Sequence, residues 1–144
     1  MRSVIRAAFS VGIAQACLAA GLKYSTERVQ FNRPISEFQA VQWKLAEMAT
    51  RIELARNITY KAAWLFDQGL DNAREAAEAK WFAADVAMQA AIECAQVLGG
   101  YGYTSEMPAE KLIRDAKIYQ IYEGATEIQK MIIVGKLMRM REVH

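Results

Sequence analysis

The sequence predicts an all-α fold, an antiparallel up-and-down helical bundle of the four-helix type with one extra short helix. The two prolines, Pro34 and Pro108, lie in short irregular stretches and leave long spans between them without a helix breaker. Within these spans apolar residues recur at steps of three and four, and strand-like alternation never persists for more than a few residues. The 144 residues suit a single domain with its own apolar core.

The first two helices are predicted from composition and spacing. An alanine-rich helix covers about residues 3–27. Ser36 and Gln39 have the spacing of a capping box and predict the start of a second helix, which ends before Gly69. This helix has roughly thirty residues and a length of about 45 Å. Its predicted apolar face contains Phe38, Val41, Leu45, Met48, Ile52, Ala55, Ala62 and Phe66, with Thr59 as one polar intrusion.

Three further helices complete the bundle. Asn72 and Glu75 repeat the capping-box spacing and predict a third helix that stops at residues 99–100. Pro108 suits the first position of a short fourth helix, and a last helix runs from about residue 125 to 140. The third helix has a seam of small residues that lets a neighbouring helix approach closely: Ala83, Ala87, Ala90, Cys94 and Val97.

Composition excludes several classes of function. A formal net charge of +2 gives no basic surface of the kind that binds nucleic acid. No run of eighteen apolar residues occurs, so no membrane span is predicted. The single histidine, His144, is the last residue, which excludes histidine triads and histidine metal sites and leaves no metal site predicted. Cys17 and Cys94 are interpreted as buried thiols in a reducing compartment rather than as a disulfide.

The stretch IYEGATEIQ, residues 121–129, places the ionisable Glu123 beside a glycine near a predicted helix start. One interpretation is a carboxylate that complements the positive end of the helix dipole. The other is a base at the mouth of a pocket, because without a usable histidine acid–base chemistry falls on a carboxylate, lysine or tyrosine. The residues by themselves leave both interpretations open.

Four sequence blocks together resemble the C-terminal domain of the acyl-CoA dehydrogenases. They occur in the family's order at residues 24–39 (YSTERVQFNRPISEFQ), 45–56 (LAEMATRIELAR), 95–118 (AQVLGGYGYTSEMPAEKLIRDAKI) and 121–129. The resemblance covers nearly the whole chain. It implies an FAD-dependent enzyme in which a glutamate removes the α-proton of an acyl-CoA thioester while a hydride passes from the β-carbon to flavin N5.

The resemblance assigns the catalytic base to Glu123, the placement used by short- and medium-chain members, whereas other branches carry the base on the first long helix of this domain. It implies that the Glu123 backbone N–H binds the thioester carbonyl. It also implies that Gly124 lets the thioester come close to the backbone. Tyr122 and Arg2 complete the implied substrate contacts.

The resemblance also assigns cofactor contacts. Arg28 is at the position of the family's flavin-pyrophosphate arginine, although an arginine near a helix end can also be only a dipole partner. Gln39 and the two glycines at 99–100 have alternative structural roles, in helix capping and helix termination. The implied FAD-contacting residues are Arg28, Phe31, Gln39, Gln96, Val97, Leu98, Gly99, Gly100, Ala125, Thr126 and Glu127.

The implied partners are an acyl-CoA substrate, electron-transfer flavoprotein as electron acceptor, and further copies of the chain in a homodimer or homotetramer. The resemblance implies that a neighbouring subunit holds most of the FAD that these segments contact. The implied location is the bacterial cytoplasm or the mitochondrial matrix.

Several positions depart from the family pattern. Asn32 stands where the family has a glycine, and because asparagine tolerates a left-handed turn, the loop is expected to survive. Ala125 replaces the threonine whose hydroxyl contacts flavin, and Thr126 is the substitute expected. Ser3 stands where a substrate arginine is common, with Arg2 one residue earlier.

The family's N-terminal helical domain and middle β-domain have no counterpart in residues 1–144. We therefore expect a single C-terminal domain that is inactive alone. Two other hypotheses stay open: a stand-alone helical oligomerisation module without activity, and part of an acyl-CoA oxidase.

Overall fold

The computed structural model describes residues 1–141, with side chains through residue 139, and His144 lies outside this range. Five helices make up the fold: α1 (Arg2–Glu27), α2 (Gln39–Asp67), α3 (Ala73–Leu98), α4 (Pro108–Ile121) and α5 (Thr126–Arg141). Short 3-10 turns, Ile35–Glu37 and Gly99–Tyr103, precede α2 and follow α3. The all-α prediction is confirmed, and each predicted helix is present to within a few residues at its ends.

Helix α3 lies at the centre of the bundle and packs against each of the other four helices. Its predicted seam is buried, with Ala83, Ala87 and Cys94 fully inaccessible to solvent. Small side chains on α1, such as Ala7 and Ala14, face it and are also fully buried. Because neither helix carries bulky residues on this face, the two backbones approach closely.

The two cysteines lie in this α1–α3 contact. Cys17 and Cys94 are free thiols, and both are buried, as expected from the sequence. The hydrogen bond that they share, together with burial, raises the pKa of the Cys17 thiol above its usual value. Both cysteine side chains are therefore part of the packed core, and the Cys17 thiol stays protonated there.

The apolar face of α2 is mostly where the sequence places it. Met48, Ile52 and Ala55 are buried, and the buried Thr59 hydroxyl donates a hydrogen bond of 2.7 Å to the Ala55 carbonyl, which accommodates the polar intrusion. The prediction is wrong at the end of the helix, where Phe66 is 44% exposed. Helix α2 ends one residue after Phe66, at Asp67, and the left-handed Gly69 follows.

Both predicted capping boxes are wrong, although the helices start close to the predicted positions. Neither α2 nor α3 has a side-chain hydrogen bond at its N-cap. Ser36 lies within the preceding 3-10 turn, so Gln39 becomes the first residue of α2. The Asn72 amide instead donates to the Ala62 carbonyl of α2 at 2.9 Å and ties the two helices together.

A two-residue hairpin joins α1 to α2 and departs slightly from a purely helical chain. Its strands, β1 (Val29–Gln30) and β2 (Arg33–Pro34), pair antiparallel. Phe31 and Asn32 form the turn and have φ angles of 52° and 63°. Asparagine thus adopts the left-handed conformation expected of it in place of glycine.

Helix α1 is long and apolar enough to cross a membrane by length and composition, a finding that the absence of an eighteen-residue apolar run did not reveal. In the fold it forms one wall of the core and packs against α2, α3 and α4. Core helices of globular proteins meet the same criterion, and 39% of the apolar window of α1 is buried inside the fold.

Candidate functional site

The loop between α4 and α5, residues 122–125, carries the candidate base. Glu123 has a φ of 54° and Gly124 a φ of 96°, so two successive residues have left-handed backbone conformations. The Glu123 side chain is 29% exposed. Glu123 precedes α5 by three residues, and the acidic residue in the first turn of α5 is Glu127. The helix-dipole interpretation therefore fits Glu127 better than Glu123.

Arg6 of α1 is the charged neighbour of this carboxylate. Its Nη2 atom lies 3.6 Å from Glu123 Oε1, and both side chains are 29% exposed. The guanidinium also lies over the Tyr122 ring, 5.0 Å from its centroid. Its Nε atom is buried and has no hydrogen-bond partner among the described residues, 1–141. The start of α1 thus restrains the Glu123 side chain electrostatically and supplies a cation beside it.

Aromatic side chains form a wall next to the carboxylate. Tyr122 packs edge-on against Tyr119, with ring centroids 5.3 Å apart, and Tyr119 contacts Phe9 at 6.4 Å. Burial, reinforced by a hydrogen bond with Tyr122, raises the pKa of the Tyr119 hydroxyl above its usual value. The surroundings of Glu123 on this side are therefore aromatic, and the raised pKa keeps the Tyr119 phenol protonated at pH 7.

The Gly124 carbonyl accepts two hydrogen bonds from below the loop. Lys80 Nζ donates at 2.6 Å and Gln129 Nε2 donates at 3.1 Å. A Cβ atom on residue 124 would lie 2.4 Å from Gln129 Nε2. The structure therefore gives a reason for glycine here that the sequence did not: a positive φ and the close approach of a buried amide.

Beyond Gly124, the loop lines a groove of about 440 Å³. We call it the Thr126 groove, and its walls are Asp85, Lys117, Gln120, Ile121, Ala125, Thr126, Glu127 and Lys130. Thr126 is itself only 9% exposed, and its hydroxyl lies 3.4 Å from the Gln120 carbonyl, to which it donates. That hydroxyl is thus directed toward α4 rather than toward open solvent.

A second groove, of about 480 Å³, lies at the opposite end of α3 and brings five of the predicted cofactor residues together. We call it the Arg28 groove, and its walls are Tyr24, Arg28, Gln30, Ile35, Val97, Leu98, Gly99, Gly100, Tyr101 and Thr104. Arg28 is exposed, with its guanidinium 5.9 Å from the Tyr101 ring centroid. Val97 and Leu98 are mostly buried, so only a small part of each residue is exposed to the groove.

Four further predicted site residues belong neither to the loop at 122–125 nor to the walls of either groove. Phe31 is 87% exposed at the hairpin turn, where its ring contacts Phe38 at 6.2 Å. Gln39 at the start of α2 and Gln96 in the last turn of α3 are both exposed. Arg2 is exposed in the first turn of α1, and it is Arg6, one turn later, that contacts Glu123.

Sequence reasoning missed three residues that surround Glu123: Arg6, Lys80 and Gln129. Lys80 carried a usable signal, because it is three residues before Ala83 and so falls on the small-residue seam, where a lysine is out of place. Arg6 is four residues after Arg2 and so shares its helix face. Gln129 gave no signal, since it lies in a helix without a clear apolar stripe.

Comparison with known proteins shows the family to which this chain belongs. Residues 2–138 match the model of the acyl-CoA dehydrogenase C-terminal domain. An acyl-CoA dehydrogenase of Bacillus subtilis (strain 168) is 51% identical over 132 residues, which is 92% of this chain and 35% of that protein. The chain thus spans about a third of the length of the curated relative.

Two solved structures have the same fold as this chain. Butyryl-CoA dehydrogenase from Megasphaera elsdenii has a TM-score of 0.93 and 47% identity, over 94% of this chain and 36% of that one. A chain from a study of the electron transferring flavoprotein of Acidaminococcus fermentans has a TM-score of 0.94 and 48% identity, over 95% and 36% of the two chains. The chain therefore belongs to the acyl-CoA dehydrogenase family, and it corresponds to the family's C-terminal domain.

Proposed function

We propose that this chain supplies the catalytic base and part of the flavin site of an FAD-dependent acyl-CoA dehydrogenase. The observation that carries the proposal is the Glu123 loop, in which a partly exposed carboxylate is held by a left-handed backbone against an arginine and an aromatic wall. The reaction is the α,β-dehydrogenation of an acyl-CoA thioester to the enoyl-CoA.

Glu123 removes the proton from the α-carbon of the thioester in this proposal. Its backbone N–H makes no backbone hydrogen bond within residues 1–141 and is left to bind the thioester carbonyl. Such a bond stabilises the negative charge that develops on the carbonyl oxygen as the proton leaves. Tyr122 forms the apolar side of the site, and Arg6 restrains the carboxylate between turnovers.

The Arg28 groove fits one part of an FAD molecule. Arg28 offers a guanidinium fork suited to a pyrophosphate. Gly99 and Gly100 have open space where a Cβ would be, so a cofactor can reach the backbone there. FAD, when bound, supplies the acceptor at N5 for the hydride that leaves the β-carbon.

The exposed cofactor residues support a site shared between subunits. Phe31, Gln39 and Gln96 are exposed and line neither of the two grooves, so they are accessible to a flavin held by a neighbouring subunit. We propose a homodimer or homotetramer on this basis. The remaining walls of the acyl and flavin sites lie in regions beyond residues 1–144, so these residues alone are inactive.

The electron acceptor proposed is electron-transfer flavoprotein, and one structural neighbour comes from a study of such a protein. The relatives reported above are bacterial, which favours the cytoplasm over the mitochondrial matrix. Thr126 and Glu127 stay proposed flavin contacts, with the Thr126 groove as the surface through which they reach the cofactor.

An inactive helical oligomerisation module is the second candidate. The observation that favours it is a set of large apolar side chains left exposed on α2 and α5, including Trp43 at 67%, Trp64 at 57% and Met131 at 69%. Exposed apolar surface of this kind is usually covered by another domain or chain. This candidate differs from the first in leaving Glu123 without a substrate.

One experiment separates the candidates. The full-length holoprotein is mixed with butyryl-CoA without oxygen, and flavin absorbance and the acyl products are followed. A dehydrogenase bleaches its flavin and forms enoyl-CoA, whereas flavin that stays oxidised with acyl-CoAs of several chain lengths contradicts the proposal. Repeating the reaction in air distinguishes an oxidase, which forms hydrogen peroxide at the rate of turnover.

A further inference from the structure

Lys80 is a fully buried lysine on α3, the central helix. Its side chain is 0% exposed, which makes it the largest completely buried side chain in the described part of the chain. Burial lowers the pKa of its ammonium group, while the negative charges of Asp85, Glu123 and Glu127 oppose that effect. A charge in such a place is costly unless it has a specific partner, so its contacts require an explanation.

The partner of Lys80 is the backbone next to the candidate base. Lys80 Nζ donates a hydrogen bond of 2.6 Å to the carbonyl of Gly124, 44 residues away in sequence. Asp85, one turn further along α3, is engaged elsewhere, because it accepts hydrogen bonds from Trp81 and Gln120. The closest polar contact of the ammonium is therefore a neutral carbonyl in the Glu123 loop.

Gln129 of α5 donates to the same carbonyl. Its side chain is 3% exposed, and the Nε2···O distance is 3.1 Å. Two donors from different helices fix the plane of the peptide that follows Gly124. The Glu123 backbone, with a φ of 54°, is in a conformation that non-glycine residues rarely adopt. Because the carbonyl of the next residue, Gly124, is held by these two hydrogen bonds, the Glu123 backbone keeps its disfavoured conformation.

We infer that Lys80 is a positioning residue, which fixes from the central helix the direction in which the Glu123 carboxylate meets its substrate. The inference rests on the proposed function and adds to it the residue that sets the geometry of the base. Lys80 does not touch the substrate and acts only through the Gly124 carbonyl. A misplacement of about 1 Å at a reacting group can cost about a hundredfold in rate.

The test uses the full-length holoprotein with Lys80 replaced by methionine, which keeps the length of the side chain and removes its donor. Lys61→Met, at a lysine whose side chain is 55% exposed, is the matched control. Flavin reduction by butyryl-CoA is measured at saturating substrate, together with the dissociation constant of butyryl-CoA, at a temperature where both variants are folded and hold FAD.

Lys80→Met is expected to slow the limiting rate of flavin reduction at least about tenfold while the dissociation constant changes less than about twofold. Lys61→Met retains both values. An unchanged limiting rate in Lys80→Met, with or without weaker substrate binding, overturns the inference and leaves Lys80 a role in stability alone. If wild-type flavin is not reduced, the proposed function fails instead.

A second variant keeps the test decisive if Lys80→Met does not fold. Gln129→Leu removes the other donor to Gly124 and is expected to slow flavin reduction in the same way, by about threefold or more, without weakening substrate binding. A Gln129→Leu protein that reduces its flavin at the wild-type rate contradicts the inference that the hydrogen bonds to the Gly124 carbonyl position the base.

Discussion

The Glu123 loop and the Arg28 groove differ in how much of their geometry this chain determines. The loop is held from three helices, by Arg6 of α1, Lys80 of α3 and Gln129 of α5. The Arg28 groove is open, and its arginine is exposed. The first region is arranged before any ligand arrives, whereas the second offers one wall of a site.

This difference follows from what each region does in the proposed reaction. A base must be held at a defined distance and angle to the α-carbon, so its loop is tied to the rigid centre of the bundle. A cofactor surface instead needs accessible backbone and a cation for phosphate, and these are useful only if they stay uncovered. Changes at the loop are therefore expected to affect rate, and changes at the groove to affect cofactor affinity.

Apart from replacement of the base itself, the largest effect is expected for Gly124→Ala in the loop. The φ of 96° is strained for alanine, and its Cβ displaces the Gln129 amide from its hydrogen bond. We expect a loss of about 1–3 kcal/mol in the free energy of unfolding, measured by denaturant titration, and flavin reduction slowed at least about tenfold. Gly100→Ala in the groove, where a Cβ has open space, is the matched control for the free energy of unfolding. Equal effects of the two changes would remove the distinction between the regions.

Gly102→Ala tests whether the turn after α3, which carries residues of the Arg28 groove, is rigid. A Cβ on Gly102 would lie 2.6 Å from the Ala95 carbonyl oxygen and 2.9 Å from the Leu98 Cβ. Because the α3 backbone at Ala95 cannot shift to relieve this overlap, we expect the free energy of unfolding to fall by about 1–3 kcal/mol. Gly100→Ala again serves as the control in thermal or denaturant unfolding. A fully stable Gly102→Ala protein would show that the turn after α3 is free to move.

Arg28→Ala is expected to weaken FAD binding to the full-length apoprotein by about tenfold, the effect of losing one charge-assisted contact. The residue is exposed, so the free energy of unfolding of the apoprotein should change by less than about 0.5 kcal/mol. Arg28→Lys keeps the charge without the planar fork and should recover only part of the affinity. Isothermal titration calorimetry measures the FAD affinity of the wild type and of both variants. An unchanged affinity in Arg28→Ala would mean that the pyrophosphate binds elsewhere.

The smallest effect is expected for a change at Glu75, an ion-paired carboxylate remote from both regions. Burial of Glu75 opposes its ionisation, but its backbone hydrogen bond and Arg74 outweigh the burial and lower the pKa of Glu75 below its usual value of 4.5. Its contribution to stability is therefore complete above about pH 4.5 and is lost as the pH falls through the lowered pKa. Glu75→Gln should cost about 1 kcal/mol at pH 7 and progressively less in acid.

The matched control for Glu75 is Glu78→Gln, at a carboxylate whose side chain is 31% exposed and 3.6 Å from Arg74. Its effect on the free energy of unfolding should be smaller at every pH. Unfolding curves recorded between pH 3 and pH 7 make the comparison, and a Glu75→Gln deficit that does not shrink in acid contradicts the assignment.

The helices were predictable because their apolar periodicity and their breakers are local features of the sequence. The small-residue seam of α3 correctly predicted the close packing of Ala83, Ala87 and Cys94. The capping boxes failed because Ser36 and Asn72 have alternatives in three dimensions, a 3-10 turn for one and a carbonyl of α2 for the other. Spacing alone does not weigh those competing hydrogen bonds.

The candidate site was predictable only where the resemblance supplied a motif. Glu123, Arg28 and the glycines at 99–100 were proposed from the sequence blocks, and the fold places Arg28 and the two glycines in one groove, apart from Glu123. Arg6 and Lys80 contact the same loop from sequence positions 117 and 44 residues away from the groups they meet, so no local pattern joins them to it. Tertiary packing decides which neighbouring groups a long polar side chain on a helix contacts.

The most direct test of the central claim, that Glu123 is the base, is flavin reduction by butyryl-CoA in the Glu123→Gln holoprotein. Glutamine keeps the shape of the side chain and cannot accept the α-proton. The account predicts FAD and butyryl-CoA binding near wild-type strength and a limiting reduction rate lower by at least about a hundredfold. Reduction at near the wild-type rate contradicts the account and assigns the proton transfer to another residue.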